Sequence, residues 1–362
     1  MEEALLYLED FPLPCLLEVN KLSRLMLSRE WKYKSVGHDD FTVMQFNVLA
    51  DGLAQTGDFV NCTTESLEWE ARWPLIEKEI RNVDPDVLCL QEVNMPQDFS
   101  RILPGHAMLF CPKLSSPAQA AGSLPDGCAM FIRRDKFHVL DAQVFYYNSL
   151  ESGKEKNAGG IVVGVRDKRN KQGLVFATTH LKAKNKPEFE LIRNDQLTQL
   201  LQKADGMSQM TCGYTNAKRV RIILTGDFNS PPEESCYKLM RSKGFESVYS
   251  AHCSFQHDGG SEVVSDALYA EGEPHFTTMK VRESLVQRTI DYIWVGLSSP
   301  LSQLVFQEIQ AMDDDARETQ LDLLVQALYS LPAADEIGPA ALPCAKYPSD
   351  HCSIAVKLAW SE

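Results

Sequence analysis

The stretch that most constrains this chain is Arg219 to Asn229, RVRIILTGDFN, an apolar β-branched run that stops on polar residues. Runs of this kind form strands buried on both faces, and they present their polar groups at the rim of a sheet, where ligands of α/β proteins bind. Thr225-Gly226 ends the run, and Asp227 and Asn229 follow two residues apart, a spacing that puts them on one face of a strand. A carboxylate there can orient a water, and a carboxamide can donate an N–H to a phosphate oxygen. Asp and Asn after a strand also make ordinary turns. The stretch therefore gains meaning only from company elsewhere in the chain.

That company exists. Phe41 to Ala50 (FTVMQFNVLA) reads as a buried strand delivering Asn47, and Asp86 to Val93 (DVLCLQEV) as another ending in Gln91-Glu92. A Glu that closes an apolar run is costly to bury unless it is paired or holds a cation, and both readings stand open for Glu92. Leu174 to Thr179 leads into His180, Thr289 to Val295 carries Asp291 inside an apolar frame, and Tyr347-Pro348-Ser349-Asp350-His351 feeds the strand Cys352 to Leu358. Each of these residues has a bland reading as a hydrogen-bonded turn amide, a satisfied polar group or a structural ion pair. Eight such positions (Asn47, Glu92, His180, Asp227, Asn229, Asp291, Asp350, His351) are hard to ascribe to chance. Together they supply what a Mg²⁺ site needs, one or two carboxylates with room for water and substrate phosphate. They also supply a His that an Asp can orient and amide donors for a charged transition state.

Between these strands, Thr64 to about Val83 has helical spacing, with Thr63 or Thr64 as its cap and a kink or break expected at Pro74. Further strands are expected at Cys128 to Ile132, Val139 to Tyr147 and Ile161 to Val165. Helices are expected at 188–203, from Pro232 to about Met240 with Glu233 and Glu234 in the first turn, and at 313–330. Residues 205–218 and 252–280 read as loops. No repeat or linker divides the chain, and strands with interspersed helices argue for one α/β domain over 41–362. Residues 1–40 read as an N-terminal extension, helical or irregular, packed on the body.

With a formal charge of −14 over 362 residues, the chain is a poor candidate for gripping long nucleic acids by bulk electrostatics. A small anion in a locally basic pocket is compatible, and Lys182, Lys184 and Lys186 form a basic knot just after His180. Ten cysteines without CxxC pairs or finger spacing read as reduced, mostly buried thiols. No apolar run reaches the roughly 18 residues of a membrane span. The acidic start MEEALLYLEDF is unlike a signal or transit peptide, so a cytoplasmic location is expected.

The ordered set QFNVLA, LQEV, THLKA, GDFN, IDYIW and YPSDH resembles the endonuclease/exonuclease/phosphatase superfamily over roughly residues 41–360. Within it, Trp69-Glu70 with Arg72, Phe110-Cys111-Pro112-Lys113, Pro125-Asp126-Gly127-Cys128-Ala129 and Ile337-Gly338-Pro339 are similar to the nocturnin-like group, in the branch with carbon-catabolite-repressor deadenylases. The resemblance implies a four-layer α/β sandwich, two facing sheets with helices outside, and Mg²⁺-dependent phosphoester hydrolysis, with Mn²⁺ as a substitute. It implies Glu92 as principal metal ligand with Asn47 beside it, and Asp350 supporting the metal or its loop. It gives Asp227 to the attacking water, Asn229 and His180 to the scissile phosphate, and His351, oriented by Asp291, to the phosphoryl charge. Lys113, Lys182, Lys184 and Arg282 would hold the substrate's phosphates.

The implied substrate is NADP⁺ or NADPH, losing its 2′-phosphate. The alternatives are a 3′ exoribonuclease acting on poly(A), a 2′,5′-oligoadenylate phosphodiesterase, and a catalytically silent binding module. A track of basic and stacking residues for several nucleotides is not found, which disfavours RNA, and Glu92, Asp227 and His351 are all retained, which disfavours the silent module. In two places the chain departs from the group: Lys184 replaces an Arg and loses its planar fork, and Met279 replaces a Trp and loses a ring. The loop 184–193, with Pro187, reads as longer than usual.

Overall fold

The apolar runs become strands whose alternate residues serve two different cores. In Phe41–Asn47, Phe41 and Val43 enter one cluster while Met44 and Phe46 enter another. In Arg221–Asp227, Ile223 goes to the shared cluster, and Ile222 and Leu224 go to a third. Period-2 geometry with both faces covered is why these strands carry no hydrophilic stripe. In the computed structural model, which describes residues 26–33, 41–149, 155–254, 272–312 and 321–361, the shared cluster lies between two facing sheets. The outer clusters are closed by helices, with Ile76 and Ile80 of Trp69–Val83 and Phe99 of Pro96–Ile102 on one side. Leu197, Leu200 and Ala204 of Pro187–Thr215 and Tyr237 and Met240 of Ser235–Ser242 close the other. This is the four-layer α/β sandwich.

The seven-stranded sheet runs Trp31–Tyr33, Leu323–Tyr329, Ile354–Trp360, Phe41–Asn47, Val87–Val93, Gly127–Arg133, His106–Pro112. The six-stranded sheet runs Glu246–Ser247, Asp291–Leu297, Arg221–Asp227, Gly173–His180, Glu155–Asp167, Phe137–Asn148. Each sheet holds a parallel pair joined by a helical crossover: Phe41–Asn47 with Val87–Val93, and Gly173–His180 with Arg221–Asp227. Parallel partners end at the same rim, so Asn47 lies beside Gln91 and His180 beside Asp227. The antiparallel neighbours start there, with Asp291 opposite Asp227 and Ile354 opposite Gln45. Topology therefore collects the polar strand ends on one edge.

Several expectations need correction. The single helix expected over 64–83 is two, Thr64–Leu67 and Trp69–Val83, and the break falls at the extended Glu68. Pro74 is accommodated inside the second helix, because the Glu70 carbonyl it leaves without a donor is on the exposed side. Thr63 does cap the first helix, accepting the Ser66 N–H. The helix expected over 188–203 runs from Pro187 to Thr215, so 205–215 is not a loop and 187–193 belongs to the helix. Its second half buries Ala204, Met207, Ser208, Thr211 and Cys212, a helical stripe whose small and polar members hide it from a hydrophobicity pattern. That half lies so close to the sheet that a Cβ on Gly164 would stand 2.3 Å from Thr211 Oγ1.

The helix expected from Pro232 begins at Ser235 instead, with Glu234 at its N-cap, because Glu190 of the long helix accepts the Ser235 N–H at 2.9 Å. The helix expected over 313–330 is overturned where it is described. Leu323–Tyr329 is a strand between Trp31–Tyr33 and Ile354–Trp360, its alternate Leu323 and Val325 packed on the inter-sheet core. A helix occupies Gln303–Met312 upstream, and 313–320 lies outside the described residues. Eight of the cysteines among the described residues are free, six of them buried. No helix of the described residues is long and apolar enough to cross a membrane.

Of residues 1–40, read as an extension, the described stretch 26–33 is built into the body of the fold. Trp31–Tyr33 is an edge strand of the larger sheet, and the Arg29 guanidinium is buried between Glu79, Tyr347 and Ser353. It donates to Ser353 O at 2.6 Å and to Ser330 O at 2.7 Å and stacks 4.3 Å from the Tyr329 ring centroid. Removing one member of such a buried pair strands the other charge. Arg29→Ala should cost about 3–5 kcal/mol in urea unfolding. Arg81→Ala, whose partner Glu77 sits one turn away on the surface, should change stability by less than about 0.5 kcal/mol.

Candidate active site

Strand parity aims most of the rim residues. Asn47, Asp227 and Asp291 share the inter-sheet face of their strands with Val43, Ile223 and Ile293, and His180 shares it with Phe176. Glu92 has the wrong parity. The ladder between Val87–Val93 and Gly127–Arg133 slips after Leu90, and Glu92 adopts φ +57°, so a bulge turns its side chain back to the rim. Asn229 lies beyond the strand at φ +50°, so the shared-face reasoning that pairs it with Asp227 does not apply. The two are held instead by a turn in which the Asn229 N–H donates to Asp227 Oδ1 at 2.9 Å. Asn229 Nδ2 donates to Leu181 O at 3.1 Å and ties down the loop after His180.

One atom, Asp227 Oδ2, joins the halves. Asn47 Nδ2 donates to it at 3.0 Å, His180 Nε2 stands at 3.4 Å and His351 Nε2 at 3.8 Å. Asn47 Nδ2 also donates to Glu92 Oε1 at 3.1 Å, and the Asn47 amide oxygen accepts the Leu49 N–H. His351 Nδ1 sits 2.8 Å from Asp291 Oδ2, which Thr277 Oγ1 also reaches at 2.7 Å. Asp350 pairs with Lys280 at 2.5 Å. All eight strand-end residues therefore lie in one connected cluster or one residue from it.

The two histidines carry different charge. Burial lowers His180 to about 4 against a smaller opposing pull from Asp227, so it is a neutral ring at pH 7. Burial would lower His351 too, but Asp291, Asp350 and Asp227 surround it and hold it up at about 10, so it is a cation. Burial would raise Asp350, yet Lys280 and His351 pull it down to about 2. Glu92 is raised, chiefly by burial and by the nearby Asp126, against Lys113 and the Asn47 hydrogen bond. A carboxylate disfavoured as an anion in this way is stabilised by an arriving cation.

Asp227, Asp291 and His351 also place potential ligand atoms within 4.8 Å of one another. That trio is already internally compensated, because the His351 cation is bonded to Asp291 and has no lone pair to offer a metal. The donors that remain are hard carboxylate oxygens centred on Glu92, a set that fits Mg²⁺ or Mn²⁺.

The basic residues divide. Lys113 Nζ stands 2.5 Å from Asp126 Oδ2 and acts electrostatically on Glu92, so it belongs to the cluster. Lys182 and Lys184 follow the Leu181 tie, their ammonium groups 5.3 and 5.9 Å from the Phe189 ring centroid, with Lys184 at φ +88°. Arg282 is outside the cluster, half-exposed and paired with Asp58 at 3.2 Å. Met279 is only 2% exposed and packs in the outer core, so it presents no surface for a ring to stack on.

Sequence reasoning missed a polar layer beneath the site. Gln45 donates to Asp291 Oδ1 at 3.3 Å and exchanges hydrogen bonds with Gln91, which reaches Thr178 at 3.1 Å. It also missed what Arg72 does. The guanidinium donates to Val48 O, Leu49 O and Pro348 O at 3.0, 2.9 and 3.2 Å, clamping the loops that follow Asn47 and precede Asp350. The only available signals were polar residues inside apolar strands and a basic residue on an apolar helix.

A model of the endonuclease/exonuclease/phosphatase family matches residues 44–351. The chain is 33% identical to nocturnin of Xenopus laevis over 329 residues, 89% of this chain and 73% of that protein. It is 27% identical to the CCR4-Not complex 3′-5′-exoribonuclease subunit Ccr4 of Candida albicans, covering 91% of this chain and 42% of that one. In three dimensions it is similar to the human nocturnin catalytic domain solved with a bound sulfate anion. The TM-score is 0.65 and the identity 26%, over 92% of this chain and 97% of that one.

The His351 pair has a pH signature. Its pKa rises from about 6.5 unfolded to about 10 folded, so its contribution is complete below pH 6.5 and is lost as pH rises through 10. Chemical denaturation between pH 6 and 10 should show stability falling, and Asp291→Asn should flatten that fall.

Proposed function

Because the chain belongs to the endonuclease/exonuclease/phosphatase family, where it is a nocturnin-like phosphoester hydrolase, we propose that it removes the 2′-phosphate of NADP⁺ and NADPH with the help of Mg²⁺. The observation that carries the reading is Lys113 held beside a Glu92 that awaits a cation, in a protein otherwise strongly acidic. A single lysine beside the metal site suits a compact phosphate and not a long polyanion.

Glu92 would hold the metal, with Asn47 as its hydrogen-bonding neighbour and Asp350 supporting the loop through Lys280. When bound, the ion neutralises charge on the phosphoryl oxygens. Asp227 accepts a hydrogen bond from the water that attacks phosphorus. Asn229 and the neutral His180 hold the phosphate at its end of the site. His351, charged and aligned by Asp291, donates its Nε2–H to a phosphoryl oxygen as negative charge grows there. Water's oxygen gains the bond to phosphorus as the 2′-oxygen loses it, leaving inorganic phosphate and NAD⁺ or NADH. Lys182, Lys184 and Arg282 serve the remaining phosphates, and the substrate displaces Asp58 from Arg282 at little cost, since exposed pairs contribute about 0–1 kcal/mol.

The similarity to the Candida exoribonuclease favours a second reading, 3′ exonuclease action on poly(A). Phosphate release from NADPH with Mg²⁺, run beside a poly(A) ladder, separates the two. Release with an intact ladder is the expected result, and a shortened ladder with untouched NADPH would overturn it. Glu92→Ala should abolish hydrolysis in a folded protein, and its thermal stability should no longer respond to added Mg²⁺. Arg282→Ala should raise KM for NADPH while sparing a generic phosphoester.

A further inference from the structure

Asp126 takes no part in the chemistry above, yet both oxygens of its carboxylate are held by side chains. It is fully buried in the turn before Gly127–Arg133. Its Oδ2 meets Lys113 Nζ at 2.5 Å, its Oδ1 accepts from Ser116 Oγ, and its backbone carbonyl accepts the Lys113 N–H at 2.8 Å. Ser116 is in turn fixed as the cap of the 3-10 helix Pro117–Ala121, its N–H donating to Gln119 Oε1 at 2.9 Å. That helix lies against Gly52 of the short helix Asp51–Ala54, which follows Asn47, so closely that a Cβ there would stand 2.6 Å from Ala118 O. The turn is thus tied to Lys113 directly and, through the 3-10 helix, to the short helix that follows Asn47.

Asp126 is inaccessible while the Lys113 side chain keeps 21% of its surface exposed. The ammonium has three donors, and one contact with Asp126 leaves capacity for another partner close to Glu92, with which it interacts electrostatically. We infer that Asp126 is a positioning residue, which holds the Lys113 ammonium at the rim as a preorganised donor for the substrate's phosphate. This rests on the phosphate-binding role proposed for Lys113. A free lysine would lose rotamer entropy on meeting the phosphate, and Asp126 takes that loss on folding.

A double-mutant cycle tests it, because a residue acting only through another has no effect once the other is gone. NADPH binding to metal-free protein, read by nucleotide fluorescence, and kcat/KM with Mg²⁺ are measured for wild type, Asp126→Asn, Lys113→Ala and the double variant. Asp126→Asn should weaken NADPH binding by about tenfold, the scale of one charge-assisted hydrogen bond, with KM rising more than kcat falls. In the Lys113→Ala background the same change should be within about twofold of none. If Asp126→Asn melts the protein, Ser116→Ala loosens the carboxylate more gently and should show a smaller effect that also vanishes with Lys113→Ala.

Equal effects of the Asp126 change in both backgrounds would overturn the inference. Inorganic phosphate, titrated calorimetrically, keeps the two claims apart. Phosphate binding that depends on Asp126 through Lys113, with NADPH neither bound nor cleaved, would uphold the positioning role and reject the substrate. Binding of either probe that ignores Lys113→Ala, or no binding of either by wild type, would reject the positioning role.

Discussion

The carboxylate of Asp227 is the interaction on which the site depends. It receives Asn47 from the larger sheet and stands between His180 of its own sheet and His351 from the loop that begins the last strand. Two sheets packed face to face by apolar side chains have nothing in their core to specify how their ends align, since hydrophobic contact is non-directional. The polar layer at the rim provides that alignment. Gln45, Gln91, Thr178 and Asp291 bond to one another across the gap just below Asp227, and each of these groups must be satisfied where water is excluded.

Charge then differentiates residues that look alike in composition. His180 and His351 both approach Asp227, yet one is neutral and the other a cation, because only His351 is enclosed by three carboxylates. Asp350 and Glu92 are both acids at the rim. Lys280 keeps the first ionised, whereas burial and Asp126 push the second toward its neutral form, which makes Glu92 the better place for a cation. The same low-dielectric surroundings that strengthen these pairs would make any one of them costly if left alone.

Around the site, buried arginines act as clamps. Arg72 gathers three backbone carbonyls from the loops beside Asn47 and Asp350, and Arg29 fixes Tyr347 and Ser353 on either side of the Ser349–His351 turn. A planar guanidinium with five donors suits this task, where a lysine would satisfy fewer carbonyls. The Ser349–His351 turn is therefore braced from behind by a segment that precedes the recognisable motifs.

The strands, their polar ends and the α/β class were legible in the sequence, because apolar runs buried on both faces carry their own signature and leave polar side chains only at the ends. Asn47, Glu92, His180, Asp227, Asp291, Asp350 and His351 could be picked out for that reason. What tertiary structure decided is everything that rests on contacts distant in sequence. The bulge that re-aims Glu92, the charge on each histidine, and the retreat of Arg282 to Asp58 all depend on neighbours supplied by other elements. The same holds for local structure. The second half of the helix Pro187–Thr215 and the strand Leu323–Tyr329 are set by the sheet surfaces they cover, and small polar residues or ambiguous apolar spacing give no such information on their own.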